Sequence, residues 1–219
     1  MKERSVICRP HEVLAILNGT QTQIRRPITK LSGFGKITEF QRSQTNGYDW
    51  QFRDKRALWN DIYHRRLMQC SPYGAGGDVL WVRETTHRQP MINFLTGEPL
   101  DEKYDGGAYS ADSENVLTLE GFDFSWWYSP RWASRITLEV TGVRVERLQD
   151  ISEADVLAEG IAKWPLGYRV AVSGAPRHES RSFETPTGAY RWLWESINGP
   201  GSWDANPWAW VVEFRRIAP

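Results

Sequence analysis

The chain has 219 residues, enough for one large domain or two small ones around an ordinary core. Lys+Arg and Asp+Glu both number 27, so the net charge is zero and nucleic-acid contact has to come from a local patch, not a global field. Its two cysteines, Cys8 and Cys70, form no CxxC, which excludes a disulfide framework and a thiolate zinc site and suits a reduced, cytoplasmic setting.

The elements read in chain order as follows. Ser5 to Cys8 predicts a short strand. The early apolar run is interrupted by Arg9, Pro10, His11 and Glu12, so it predicts neither a signal peptide nor a membrane span. Pro10 suits the first turn of a helix, Val13, Leu14 and Leu17 recur at helical spacing, and Gly19 is its natural stop. Arg25 and Arg26 leave that helix on a strand or loop. Residues 31–75 hold strand-like pieces with an Asn46-Gly47 turn signal, then "KRALWNDIYHRRLMQ", which fits a short helix or a strand and loop. Asp78 opens an alternating strand, with Val79, Trp81 and Arg83 facing one way and Leu80, Val82 and Glu84 the other. After an irregular stretch over 88–128, "RITLEVTGVRVERL" predicts a hairpin turning at Thr141-Gly142. Ser152 caps a helix, Asp155 completes its capping box, and Gly160 ends it. Residues 165–184 predict a loop, "TGAYRWLWESING" a helix stopped by Gly199, and "PWAWVVEFRRI" a last strand with Trp208, Trp210, Val212 and Phe214 on one face. The helices do not alternate with the strands, which favours an α+β arrangement, a small mixed barrel with helices packed outside, over a βαβ sandwich.

Four constellations could carry chemistry. Arg25-Arg26, extended by Lys30, could clamp an anion, because guanidinium groups bind phosphate bidentately and a glycine turn lets the backbone approach a ligand; a solvated pair on an edge strand is the alternative. Glu84 stands on an apolar strand face, as a paired core charge or as a site group coupled to Arg26. Arg131, Trp132, Ser134 and Arg135 could stack a base and hold its phosphate, or be core and rim. The turn around Asn206 and Trp208 could wall a nucleobase-sized pocket, or simply connect a helix to a strand. There is no Walker loop, GxGxxG, HExxH or GxSxG, and the four histidines show no ligand spacing, so no metal or cofactor is expected.

The ordered segments "ILNGTQTQIRRP", "GGDVLWVRET", "PRWASRITLEVTGVRVERLQDISEADVLAEGI" and "LWESING…WDANPWAWVVEFRRI" resemble the ASCH superfamily, and more narrowly the longer ASCH-type proteins of bacteriophages and prophages. The resemblance covers most of the chain outside residues 31–75, 88–128 and 163–184, which read as insertions on a shorter core. It implies a single PUA-like domain over 1–219, a small mixed β-barrel with flanking helices, that recognises RNA or modified nucleosides in the host cytoplasm. The family pattern after the first helix is glycine, any residue, lysine, two residues, glutamate or threonine, any residue, arginine. Gly19 and Arg26 match it, Gln21 stands at the lysine and Ile24 at the glutamate or threonine, and Glu84 matches the acidic residue after the glycine-aspartate strand.

Some family members are N4-acetylcytidine amidohydrolases that use that lysine, a threonine at the Ile24 position and the strand glutamate. A hydroxyl nucleophile needs a basic partner and an acid must protonate the leaving amine. Gln21 takes no proton and Ile24 offers no nucleophile, so the resemblance implies hydrolysis lost or much weakened. Other members are ribonucleases. The leading expectation is a protein that binds nucleic acid or a modified nucleoside through Arg25, Arg26, Lys30, Arg131, Trp132, Ser134, Asn206 and Trp208. The first alternative is a hydrolase built on Glu84 with Gln21; the second is a phage accessory protein that binds a host protein through its insertions.

Overall fold

The computed structural model describes residues 1–87, 108–109, 126–128, 130–170 and 181–217. The first half runs β1 (Glu3–Ile7), α1 (Pro10–Leu17), β2 (Gln23–Pro27), β3 (Lys30–Leu31), β4 (Gly35–Arg42), β5 (Trp50–Asp54), β6 (Trp59–Ile62), α2 (His64–Gln69) and β7 (Val79–Arg83). Then come β8 (Thr85–His87), β9 (Ala108–Tyr109), β10 (Trp126–Tyr128), β11 (Thr137–Arg147), α3 (Glu153–Ala158), β12 (Ile161–Trp164), β13 (Gly167–Val170), α4 (Pro186–Asn198) and β14 (Trp208–Ile217). The fold is mixed α+β, mostly sheet with few helices. Among the described residues no helix is long and apolar enough to cross a membrane.

The central sheet has the order β1-β7-β11-β14-β2. Only β1 and β7 are parallel. Its edge strands do not pair with each other, yet they lie close: the Arg26 guanidinium on β2 donates to the Ile7 carbonyl at the end of β1, at 3.1 Å. A side chain thus bridges the gap that backbone hydrogen bonds leave open. Inward-facing Val6, Ile24, Leu80, Val82, Leu138, Val140, Trp210, Val212 and Phe214 fill the curve of the sheet. In β2 and β14 the opposite face is covered as well, since Gln23, Arg25, Ala209 and Val211 are also buried.

The expected hairpin at Thr141-Gly142 is one continuous strand. β11 pairs with β14 from Thr137–Ile217 to Arg147–Trp208, and the register slips once between Val140 and Gly142. A two-residue hairpin turn needs φ > 0 in its centre, and neither Thr141 nor Gly142 has it. Gly142 instead sits where an added Cβ would lie 2.8 Å from a Glu213 carboxylate oxygen, so the glycine serves a bulge pressed against its partner strand.

Residues 31–75 are more than a loop insertion. With Lys30 they fold as a four-stranded antiparallel meander, β3-β4-β5-β6, followed by α2. Asn46-Gly47 does turn β4 into β5, with Gly47 at φ 88°. Leu31, Ile37, Trp50, Phe52, Ile62 and Leu67 from this segment are buried in the same cluster as the central sheet. Part of 165–184 is also strand, since β12 and β13 form a hairpin that turns at Pro165-Leu166. A second core gathers α3, α4 and β12 around Val156, Ile161, Tyr190, Leu193, Trp194 and Trp203. The expectations for 88–107, 110–125, 129 and 171–180 lie outside the described residues.

Candidate functional site: a polar cleft between the sheet edges

The gap between the two sheet edges opens into a cleft of about 400 Å³. Its walls come from the β1–α1 junction, β2, the residue after α3, and α4. Each wall delivers polar groups for a local reason. Pro10 starts α1, and Glu12 closes its first turn by accepting the Arg9 backbone N–H at 2.8 Å. That capping carboxylate also accepts the Arg26 guanidinium at 2.9 Å. Gly160 at φ 88° ends α3 and leaves Glu159 pointing back at β2, where it accepts from Gln23 Nε2 and the Arg25 backbone N–H, both at 3.2 Å. On α4, Tyr190 and Trp194 are four residues apart and so share the face turned to the cleft.

Arg25 is 1% exposed. Its Nη2 lies 2.9 Å from Glu146 and 3.1 Å from Asp155, and its Nε 3.7 Å from Glu159. Three carboxylates from β11, α3 and the residue beyond α3 therefore converge on one guanidinium. Arg144 on β11 joins the network through Asp155, Glu146 and Glu213.

The two cleft carboxylates have opposite protonation tendencies. Burial pushes Glu12 up, but Arg26, His11 and the Arg9 N–H outweigh it and hold its pKa below the ordinary value. Burial wins at Glu159, pushing its pKa up to about 7 against the pull of Arg25 and Gln23. The geometry explains the difference: Arg26 gives Glu12 a close charged bond, whereas Glu159 shares a more distant guanidinium with two other carboxylates. Burial also lowers the His11 pKa, favouring its neutral form.

Several buried polar atoms on the cleft's residues have no hydrogen-bond partner: Gln21 Oε1, Arg25 Nε and Nη1, and Trp194 Nε1. Each such atom costs about 1–3 kcal/mol while unmet. Among the described residues no group of three His, Cys, Asp or Glu is placed to hold a metal ion.

Of the residues singled out from sequence, Gln21, Arg25 and Arg26 meet in this cleft. Glu84 does not line it, although its neighbour Thr85 does. Glu84 is 1% exposed and chelated by Arg135, with Nη2–Oε2 at 2.8 Å and Nε–Oε1 at 3.0 Å. Ser134 Oγ donates to the Val82 carbonyl at 2.8 Å and pins the segment before β11 to β7. Arg131 is paired with Glu3 at 2.7 Å, and Trp132 is exposed. Asn206 builds the turn before β14, its Oδ1 accepting from the Gln149 N–H and its carbonyl from Arg147. Trp208 meets Trp50 edge-on at 4.8 Å, under the guanidinium of Arg147, and so ties the meander to the central sheet. Lys30 lies on the meander, exposed.

The sequence reading missed Glu12, Glu159, Tyr190 and Trp194. Their signals were present: an acidic residue two positions after a helix-opening proline, one just before a helix-stopping glycine, and two aromatics at i, i+4. Comparison with family models, with curated proteins and with solved structures finds no match for this chain.

Proposed function

We propose that this chain is an ASCH-type, PUA-like protein that binds a modified nucleoside, free or within RNA, in the cleft between β2, α1 and α4. The reading rests on the ordered sequence segments that resemble the family and on one structural observation. A cleft of nucleoside size is lined by aromatic side chains and by both signs of buried charge, with unmet donors on Arg25 and Trp194 and an unmet acceptor on Gln21. A nucleobase edge offers the complementary acceptors and donors on a flat body that suits Tyr190 and Trp194. Small rotations of Gln21 and Trp194 would turn those atoms toward the ligand. The open edge between β1 and β2, bridged by Arg26, is the opening of the barrel in this reading.

The test is calorimetric titration with cytidine, uridine and their N4- or C5-substituted forms. Saturable binding of at least one, weakened about tenfold in Gln21→Leu, is the expected result. Absence of binding by the whole panel removes the proposal. Arg26 is the wrong residue for this test, because it holds Glu12 and the Ile7 carbonyl in place and its loss would disturb the fold.

A hydrolase reading is favoured by one observation, the Glu159 carboxyl raised to about 7 inside the cleft. That value suits a general acid or base near neutral pH. In this reading Glu159 takes the role first assigned to Glu84. Turnover of an N-acylated cytidine that survives Glu84→Gln and disappears in Glu159→Gln would establish it.

A further inference from the structure

Residues 30–75 carry eight Lys and Arg against four Asp and Glu, in a chain whose total is zero. The placement of these charges is more telling than the count. Lys30 on β3 and Lys36 on β4 are direct cross-strand partners, and both are exposed. Like charges directly opposite destabilise a sheet, and among the described residues neither has an anionic partner. Ile37 pairs with Asp54, so the positions just beyond that pair, Lys36 and Lys55, come out at the same end of the meander. Lys55 sits in a turn that is firmly built: the Asp54 carboxylate accepts the backbone N–H of Arg56 at 2.9 Å and of Leu58 at 3.0 Å, and pairs with the Arg56 guanidinium.

The acids that could neutralise this end are already engaged. Asp54 is held in the turn, Glu39 is paired with Arg53 at 2.8 Å, and Asp61 accepts the Ser43 and Thr45 hydroxyls. Trp59 opens β6 just after the turn that holds Lys55; it is 45% exposed, directly opposite Arg53 and within 6.0 Å of its guanidinium.

We infer that this end of the meander is a docking strip for single-stranded nucleic acid: Lys30, Lys36 and Lys55 contact successive phosphates and Trp59 stacks an unpaired base. Complementary charge selects a polyanion, and an exposed ring selects bases free to splay out of a helix. The inference stands on the meander alone and does not need the cleft to hold a nucleoside.

The experiment uses the full chain, with fluorescence anisotropy of a labelled single-stranded RNA of mixed sequence, the same sequence as a duplex, and inorganic polyphosphate as competitor. Lys36→Glu is expected to weaken single-strand binding about tenfold and to reduce the salt slope by about one. The same substitution places opposite charges across the ladder, so the melting temperature should hold or rise. Loss of binding with gain of stability is an outcome that a merely structural lysine would not produce. Lys55→Gln, outside the ladder, should weaken binding in the same direction. Trp59→Ala should weaken single-strand binding about tenfold and leave polyphosphate competition unchanged. Absence of single-strand binding, binding indifferent to both lysine variants, or equal binding of the duplex with no effect of Trp59→Ala would each overturn the inference. Titrating a free nucleoside into Lys36→Glu separates this result from the cleft, which that substitution leaves intact.

Discussion

The cleft and the meander use the same kinds of side chain to opposite ends. In the cleft, Arg25, Glu12 and Glu159 are each at most 6% exposed, and each charge has a partner. On the meander, Lys30, Lys36 and Lys55 are exposed and among the described residues have no anionic partner. A buried charge must be compensated inside the protein or the fold does not form, so its neighbours reveal its structural duty. An exposed charge is compensated by water, so an arrangement that keeps like charges together has to be explained by something outside the chain. The arginine doublet that looks like a phosphate clamp in the sequence is therefore largely an internal cross-link, and the less conspicuous lysines are the cations left open to solvent.

Four measurements would break or sharpen that contrast. The largest effect is expected from Arg25→Met, which leaves Glu146, Asp155 and Glu159 without their shared cation. Removing one partner of a buried charge network costs about 3–5 kcal/mol, to be read by urea denaturation at neutral pH. A loss below about 1 kcal/mol would mean that Arg25 is not the cross-link described.

The second concerns pH. The Glu159 pKa is raised in the fold to about 7 from an ordinary 4.5, so the folded state binds the proton more tightly than the unfolded chain. Its contribution is fully present below about pH 4.5 and is lost as pH rises through about 7, a span worth up to about 3 kcal/mol. Glu12 and His11 shift downward and act in the opposite sense, their contributions being lost as pH falls. Glu159→Gln should therefore remove a falling component of stability between pH 4.5 and 7. Identical pH profiles for the two proteins would refute the assignment.

The third is Trp194→Phe. It deletes an unmet buried donor but also takes ring volume out of the second core, so the two effects oppose and stability should change by no more than about 2 kcal/mol, while nucleoside affinity in the cleft falls. Unchanged nucleoside affinity would show that the indole N–H does not meet the ligand. The smallest effect is at the meander: Lys36→Glu should add about 0.2–1 kcal/mol by turning a like-charge pair into an opposite one, measured by thermal melting at low salt, with the gain shrinking as salt screens the pair.

Local signals in the sequence were readable where they needed only neighbours along the chain. Pro10 opening α1, Ser152 accepting the Asp155 N–H at 3.1 Å, and Gly19, Gly160 and Gly199 ending helices with positive φ all follow from short-range sterics and hydrogen bonding. The inward faces of β7 and β14 were legible by alternation, although Ala209 and Val211 on the other face of β14 are buried as well. Thr141-Gly142 misled because a glycine in a β-branched run can mark either a turn or a bulge, and only the partner strand β14 distinguishes them. Glu84 misled in the same way: an acid on an apolar face needs a cation, and nothing along the strand says whether that cation is Arg26 or Arg135.

The sequence by itself determined the ends of α1, α3 and α4, the inward faces of β7 and β14 and the candidate arginines, because each depends on contacts within a few residues. Only the tertiary structure decided which charges are neutralised inside and which are left outside. That outcome depends on strand order and curvature, which bring Glu159 to Arg25 across 134 positions while setting Lys30 opposite Lys36 on an exposed edge.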